Sequence, residues 1–462
     1  MSKRSKRHEK SRFRKIPDLE SLKQLNLNAG GIDIGSAEIW VCVPKDCDEE
    51  SVKMFSTFTI DLHEIATWLL RCDVDTVAME STGLYWMPLY DILEQNGIDV
   101  YLVNAKEAKN VSGRKTDILD CQWLQQLQTY GLLRKSFIPD KEIRKLRDLG
   151  RHRDNLIRHR ATQIQYMQKA LHLMNLQLDN VITDITGKTG ISIIRDIVAG
   201  RTNPKDLAEH RDPNCKNSKD VIEKSLQGNY SQEHIFLLKQ ALELYDIFSS
   251  KIVDCEKEIE KQYQRFSPKV EPYDKPLPRS SKKPTRTKNK MSFDLRTALY
   301  RTCGVDLTQV DGLSAITVHT VISNAGVDMS RWPTYKHFTS WLRLSPNNQT
   351  SGGKVLSTKT GKTKNRANMA LRQAAQSLHH SNSYLGAYYR RMRTKLGAPK
   401  AITAAAHKLA RIIYTLLIEQ KEYLDLGADY FLQNNREREI KKLFKKANSL
   451  GFYITPVAQG VS

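Results

Sequence analysis

Four carboxylates in the N-terminal part of the chain have the residue types and spacing of a metal site: Asp33, Glu80, Asp117 and Asp120. Asp33 interrupts one apolar run, and Glu80 ends another. Asp117 and Asp120 are three residues apart, so both would project from one face of a helix. Carboxylates gathered at one place repel one another unless cations lie between them. A divalent metal with a bound phosphodiester meets this need, so the pattern favours metal-assisted chemistry on nucleic acid.

These acidic residues also have structural interpretations. An Asp at a helix N-cap followed three residues later by another acid is a common capping pattern, which is an alternative for Asp117 and Asp120. Asp33 has no such alternative, because burying an isolated charge within a strand is costly. The four residues, in this order on suitable elements, predict a site for Mg²⁺ or Mn²⁺.

The elements that would position these carboxylates follow from hydrophobic periodicity. The pattern predicts strands at residues 32–34, 39–43, 54–60, 76–80 and 100–103. It predicts helices at residues 62–71, from after Gly83 to about residue 95, and at residues 117–131. The first three strands have hairpin spacing, and helices join the later ones, which should therefore be parallel. This order predicts an α/β domain with an RNase H-like, RuvC-like fold.

Composition points to a polyanionic partner. The chain has 462 residues, too many for a single core, and 73 basic against 51 acidic residues give a net charge of +22. Lys and Arg gain affinity by releasing phosphate counterions, so DNA or RNA is the expected partner. Membrane binding is the weaker alternative, because no uncharged apolar run of about 18 residues is evident.

The seven cysteines are scattered, without the spacing of zinc ligands, and indicate buried thiols in a reducing compartment. The basic N-terminus lacks the apolar core of a signal peptide. It is interpreted as a nucleic-acid-binding arm or a nuclear address.

The middle of the chain is predicted to be helical. Apolar residues recur at helical spacing over residues 146–178 and again over residues 232–259, which indicates a helical hairpin or coiled coil. Because such stripes need covering, self-association is favoured over a monomeric helical subdomain. A basic, proline-punctuated linker and a compact all-α domain follow. The predicted segments are an arm at 1–28, an RNase H-like domain at 29–138, a coiled-coil region at 139–266, a linker at 267–291, a helical domain at 292–435 and a basic tail at 436–462.

Two features are candidates for contact with the nucleic-acid backbone. Arg114 and Lys115 precede the Asp117 helix and could hold a phosphate, although a solvated basic turn is the alternative. The Asp311-Gly312 segment leads into a helix and resembles a helix-hairpin-helix element, whose glycine lets backbone N–H groups approach phosphates. A plain helix start is the alternative for Gly312.

A Ser-Gly-Gly segment is the candidate for a nucleophile. Ser351 precedes Gly352 and Gly353, which could hold its hydroxyl exposed in a strained position. Cations follow that could bind a phosphodiester and stabilise a developing oxyanion. An ordinary loop is the alternative. The predicted nucleic-acid contacts of this region are Gly352, Lys354, Lys359, Lys362, Lys364 and Arg366.

Together these motifs resemble the DEDD recombinases, which are transposases of the insertion sequence 110 family and its 1111 relatives. The resemblance is carried by residues 31–35, 79–83, 115–120, 311–312, 351–354, 371–375 and 397–403.

The resemblance implies a prokaryotic DNA recombinase, acting in the cytoplasm at the nucleoid, that excises and inserts its own element. It implies a structured bridge RNA that pairs with donor and target DNA, and carboxylates that work with Mg²⁺ or Mn²⁺. Ser351 would attack the phosphodiester and form a phosphoserine-linked intermediate, within a homodimer or homotetramer. Two other functions stay open: a metal-dependent junction nuclease, and a non-catalytic RNA- and DNA-binding scaffold.

Overall fold

The computed structural model describes residues 22–81, 83–104, 117–279, 289–363 and 365–455, with Asp117 described by its backbone alone. The chain divides into two compact units, Met1–Ile138 and Pro139–Ser462.

The first unit contains a mixed five-stranded sheet with helices on both faces. Its elements are β1 (Ala29–Ile34), β2 (Glu38–Cys42), β3 (Val52–Ser56), α1 (Thr59–Arg71), β4 (Thr76–Glu80), α2 (Trp86–Gln95), β5 (Asp99–Val103) and α3 (Asp117–Thr129). The strand order is β3-β2-β1-β4-β5; β1, β2 and β3 are antiparallel, and β4 and β5 continue the sheet in parallel with β1. The predicted RNase H-like fold is confirmed.

Helices cover the sheet because its strands are apolar on both faces. Ile32, Met79 and Leu102 pack with Leu69 of α1 and Leu93 of α2 in one cluster. On the other face, the smaller cluster comprises Ala78, Val103, Leu124, Leu127 and Leu133, and Leu124 and Leu127 belong to α3.

The third strand ends earlier than its apolar pattern predicts. It stops at Ser56, and α1 begins at Thr59, within the segment expected to be extended. The Ser56 hydroxyl accepts a hydrogen bond from the Phe58 N–H and donates one to Asp61. This local turn ends the strand, so residues 57–60 were wrongly predicted.

The second unit begins with a helical hairpin. Helix α4 (Lys141–Leu173) runs antiparallel to α9 (Gln232–Arg265), since Gln262 donates to Glu142 near one end and the His159 ring stacks on Phe248 further along. The predicted pair of long helices is confirmed. Their apolar stripes cover one another within a single chain, so the stripes by themselves do not require a second copy.

The polar segment between the two long helices folds into four short helices: α5 (Leu178–Val181), α6 (Lys188–Val198), α7 (Pro204–Ala208) and α8 (Lys219–Ser225). Their apolar residues, among them Ile193, Ile197 and Ile222, form one core with Leu171 of α4 and Leu238 of α9. This connecting segment therefore packs against the end of the hairpin where α4 leads into α9.

The rest of the second unit is mainly helical. It comprises α10 (Leu295–Cys303), α11 (Ala315–Ala325), α12 (Tyr335–Trp341), β6 (Gln349–Ser351), β7 (Lys354–Ser357), α13 (Arg366–Ser377), α14 (Tyr384–Leu396), α15 (Ala398–Glu419) and α16 (Gly427–Ser449). Helix α16 continues past residue 436, where the basic tail is predicted to begin, so the first part of the tail is helical. The described part of the linker also packs on this region, since Glu271 pairs with Arg301 and the Pro278 carbonyl accepts from Arg296.

Within the described residues, α15 is the single helix long and apolar enough to cross a membrane by length and composition. Half of its apolar window is buried, including Ala405, Leu409 and Ile413, as expected for the central helix of a folded domain.

Candidate functional site

Asp33 and Glu80 occupy neighbouring positions on adjacent central strands. Strands β1 and β4 are parallel, with Gly31 opposite Ala78 and Ile32 opposite Met79. The next step of this register brings Asp33 beside Glu80. Because side chains alternate between the faces of a strand, both carboxylates project on the face that Gly31 and Ala78 share. Both are half-buried.

Helix α3 covers this same face of the sheet. A Cβ atom on Gly31 would lie 2.1 Å from the Cys121 carbonyl oxygen and 2.5 Å from the Gln125 nitrogen, so α3 approaches β1 to backbone contact. Only glycine at this position allows so close an approach.

The other two predicted acids lie in the first turn of α3. Asp120, which is half-buried, comes one residue before Cys121 and four before the buried Leu124, so it lies on the sheet side of the helix. The backbone of Asp117 begins the helix one turn before Cys121. Gln128, near the other end of α3, donates to the Thr76 hydroxyl at the start of β4. The helix therefore runs so that its first turn lies toward the ends of β1 and β4, where Asp33 and Glu80 are found.

The donor chemistry of this edge fits a hard divalent cation, because every candidate ligand is a carboxylate oxygen. Among the side chains that the structure describes, no three His, Cys, Asp or Glu residues form a ready metal cluster. The predicted phosphate-binding residues Arg114 and Lys115 and the side chain of Asp117 lie outside the described part of the chain. The inference that these carboxylates could bind a divalent cation therefore depends on the register of β1 and β4 and on the position of α3.

Cys42 and Cys121, which are far apart in sequence and have no motif in common, lie together near Asp33. The side-chain hydrogen bond with Cys42, burial and the charge of Asp33 all raise the pKa of the Cys121 thiol. Both thiols are buried. Five of the seven cysteines are buried as predicted, whereas Cys47 is exposed and Cys215 is half-buried, so the prediction is wrong for these two. Cys121 therefore packs as a neutral side chain close to Asp33.

Ser351 lies at the tip of an exposed two-stranded hairpin. Strands β6 and β7 pair antiparallel, with Ser351 opposite Lys354, and Gly352 and Gly353 form the turn between them. The two glycines have φ of +53° and +74°, the left-handed values of a type I′ turn. Ser351 itself has no positive φ, so the strain expected at the serine falls on the glycines, which bear it at little cost.

The cations predicted around Ser351 have different surroundings. Lys354 is exposed on the strand directly opposite the serine, and Lys362 is exposed in the following segment. The Lys359 carbonyl accepts from the Asn347 N–H, which ties the base of the hairpin together. Arg366 pairs with Asp154 of α4 at 2.7 Å, and Lys364 lies outside the described residues.

Gly312 is packed against the protein interior. Its φ is +83°, and a Cβ there would lie 2.8 Å from the Ala374 carbonyl oxygen in α13. Ser314 then caps α11 by accepting from the Thr317 N–H. Packing alone therefore requires this glycine, and its contact with nucleic acid stays a prediction.

A mixed sheet with carboxylates on adjacent central strands defines the class of RNase H-like nucleic-acid enzymes. Comparison with protein families gives the particular family. Residues 30–175 match the family model of DEDD transposases of the IS110 type, and residues 305–390 match the model described as transposase IS116/IS110/IS902 family. No curated protein matches the chain. The chain belongs to the IS110 family of transposases and is therefore a DNA-binding enzyme that recombines DNA.

Proposed function

We propose that this transposase breaks and rejoins DNA by attack of Ser351 on a phosphodiester, assisted by Mg²⁺ or Mn²⁺ at Asp33, Glu80, Asp117 and Asp120. The observation that carries the metal site is the β1–β4 register, which sets Asp33 beside Glu80 on the face covered by α3. Ligands that converge from separate elements are typical of phosphoryl-transfer sites. A bound cation would neutralise charge on the non-bridging phosphate oxygens.

The serine step conserves the number of phosphoester bonds. A bond forms between Ser351 Oγ and phosphorus, and one P–O bond of the DNA backbone breaks. The serine hydroxyl loses its proton, and the departing deoxyribose oxygen gains one. Attack by a DNA hydroxyl on the phosphoserine reverses these changes and joins strands. The exposed Gly-Gly turn and the opposing Lys354 support this role, because a cation stabilises the developing oxyanion.

We also propose guidance by a structured RNA, assembly as a homodimer or homotetramer, and backbone contacts by the cations near Ser351. The net charge of +22 supports binding of polyanions. Sequencing of RNA that copurifies with the protein tests the guidance. A single RNA species of defined sequence is expected. A random mixture of RNAs would contradict guidance by a structured RNA.

Ser351→Ala tests the nucleophile. The variant should form no covalent protein–DNA adduct, while its affinity for DNA stays within about twofold of the wild type, since one exposed hydroxyl adds little to binding. The matched control is Ser357→Ala, at the other end of the same hairpin, which should still form the adduct. Formation of the covalent adduct by Ser351→Ala would exclude Ser351 as the nucleophile.

Asp33→Asn tests the metal site, with Glu38→Gln on the neighbouring strand as the control. The Asp33 variant should lose divalent-metal-dependent cleavage, and the Glu38 variant should keep it. A junction nuclease that uses water would be inactivated by Asp33→Asn but not by Ser351→Ala. A non-catalytic scaffold would respond to neither substitution.

A further inference from the structure

Four arginines line a small cavity between the hairpin and the C-terminal helices of the second unit. The cavity has a volume of about 20 Å³, enough for one water-sized group, and is partly open to solvent. Arg147, Arg151 and Arg153 lie on α4, and Arg366 begins α13. Helix α11 closes the other side with His319.

Two of these arginines are already neutralised. Arg153 pairs with Glu256, and Arg366 pairs with Asp154. Arg147 and Arg151 form no ion pair with any residue that the structure describes. The Arg147 Nε atom is buried without a hydrogen-bond partner among the described atoms. Burial and the charges of Arg151 and Arg144 lower the pKa of Arg147, which reflects the crowding of like charges there.

His319 presents a second donor to the cavity. It is 4% exposed, its Nδ1 is 2.8 Å from the Tyr263 hydroxyl, and its Nε2 has no partner among the described residues. Burial and the charge of Arg153 lower the pKa of His319 to about 4, so the ring is neutral at pH 7. If Nδ1 accepts from the buried Tyr263 hydroxyl, Nε2 carries the hydrogen. Two N–H groups in need of an acceptor therefore line one cavity.

We propose that this cavity binds a phosphate group of a nucleic-acid backbone, with Arg147, Arg151 and the His319 Nε2–H as its donors. A non-bridging oxygen fits the inner volume, and the remaining phosphate lies at the open side, within reach of the exposed Arg151. Guanidinium groups suit phosphate because they offer paired donors with a fixed charge. The site depends on the binding of nucleic acid by this family, and not on the roles proposed for Asp33 or Ser351.

Binding measurements with Arg147→Gln and Arg151→Gln test the site. Fluorescence anisotropy would follow a DNA duplex and, separately, a structured RNA over a range of salt concentrations. All variants would carry Ser351→Ala, so that no covalent product contributes. Each arginine variant should bind about tenfold more weakly. For the DNA duplex, the slope of log affinity against log salt should become shallower by about 0.9, the change expected for the loss of one phosphate contact.

Arg158→Gln is the matched control. It removes one charge from the exposed face of the same helix, where the guanidinium contacts the Asp154 carbonyl and Asn155. If the cavity holds only a water molecule, Arg147→Gln and Arg151→Gln will bind both nucleic acids as Arg158→Gln does, and the proposal is overturned. If the arginine variants lose affinity for only one of the two nucleic acids, that nucleic acid supplies the phosphate. Arg151 is exposed, so its variant keeps the test decisive even if Arg147→Gln fails to fold.

Discussion

Arg153 and Glu256 form a buried ion pair between the two long helices of the hairpin. Their closest N–O distance is 2.6 Å, and their side chains are 4% and 3% exposed. The second Glu256 oxygen accepts from the Ser292 N–H, and Arg153 also donates to the Asn289 carbonyl. The pair therefore connects both helices to the segment that leads into the C-terminal helices.

Loss of one partner of this pair should destabilise the protein strongly. Glu256→Gln leaves the Arg153 charge buried and unpaired, so we expect the free energy of unfolding to fall by about 3–5 kcal/mol. Urea unfolding of the full chain measures this change. Glu258→Gln, in an exposed pair with Lys261, is the control and should cost about 0.5 kcal/mol or less. A double change of Arg153 and Glu256 to Met should recover only part of the loss, because it removes the buried charges but leaves the Ser292 N–H and the Asn289 carbonyl without these partners. Equal losses in Glu256→Gln and Glu258→Gln would refute the account.

Gly31→Ala should displace α3 from the sheet. The added methyl group would meet backbone atoms of Cys121 and Gln125 at 2.1 and 2.5 Å, and backbone cannot move aside as a side chain can. We expect the free energy of unfolding, measured by heat or urea, to fall by at least about 3 kcal/mol, and we expect DNA cleavage to be lost. Gly30→Ala is the control on the same strand, because its closest contact is the Val77 side chain at 3.1 Å. If Gly31→Ala proves as stable as Gly30→Ala, the close approach of α3 to β1 is contradicted.

Much of the RNase H-like unit could be predicted because apolar periodicity identifies its strands and helices. The positions of Asp33 and Glu80 follow from that periodicity once β1 and β4 are parallel. The end of β3 could not be predicted, because the hydrogen bonds of Ser56 override an apolar run that continues to Ile60. The contact of α3 with Gly31 depends on tertiary packing, although glycine within a strand is a recognised sign of close approach.

The second unit was harder to predict in its short elements. Helices α5, α7 and α8 have only 4–7 residues, too few for a helical period to stand out from a polar sequence. Strands β6 and β7 are exposed on both faces, so they lack the apolar alternation by which a half-buried strand is identified. Ser351 could be selected by its Gly-Gly neighbours, but the hairpin that presents it could not.

Gly353→Val should impair catalysis while leaving the fold intact. A β-branched residue at φ of +74° is strained, so the turn beside Ser351 should distort. Displacement of a nucleophile by about 1 Å can cost about a hundredfold in rate, so we expect at least a tenfold slower formation of the covalent adduct. Gly353→Asn is the matched control, because Asn tolerates positive φ, and its rate should stay closer to that of the wild type. Equal rates for Val and Asn would show that the turn geometry does not limit the reaction.

His319 should make the stability of the second unit depend on pH. Its pKa is about 4 in the folded protein, against an ordinary value of 6.5, because it is buried and faces Arg153. Between these values the unfolded chain binds the proton more readily, so stability should decline as the pH falls from 6.5 toward 4. Its contribution to the loss between pH 7 and pH 5 should be about 2 kcal/mol. Urea unfolding of the wild type and of His319→Gln at pH 7 and pH 5 isolates the contribution of His319, because all other titrating groups are present in both proteins. The variant should lose less stability than the wild type on acidification. An identical loss would mean that folding does not lower the pKa of His319.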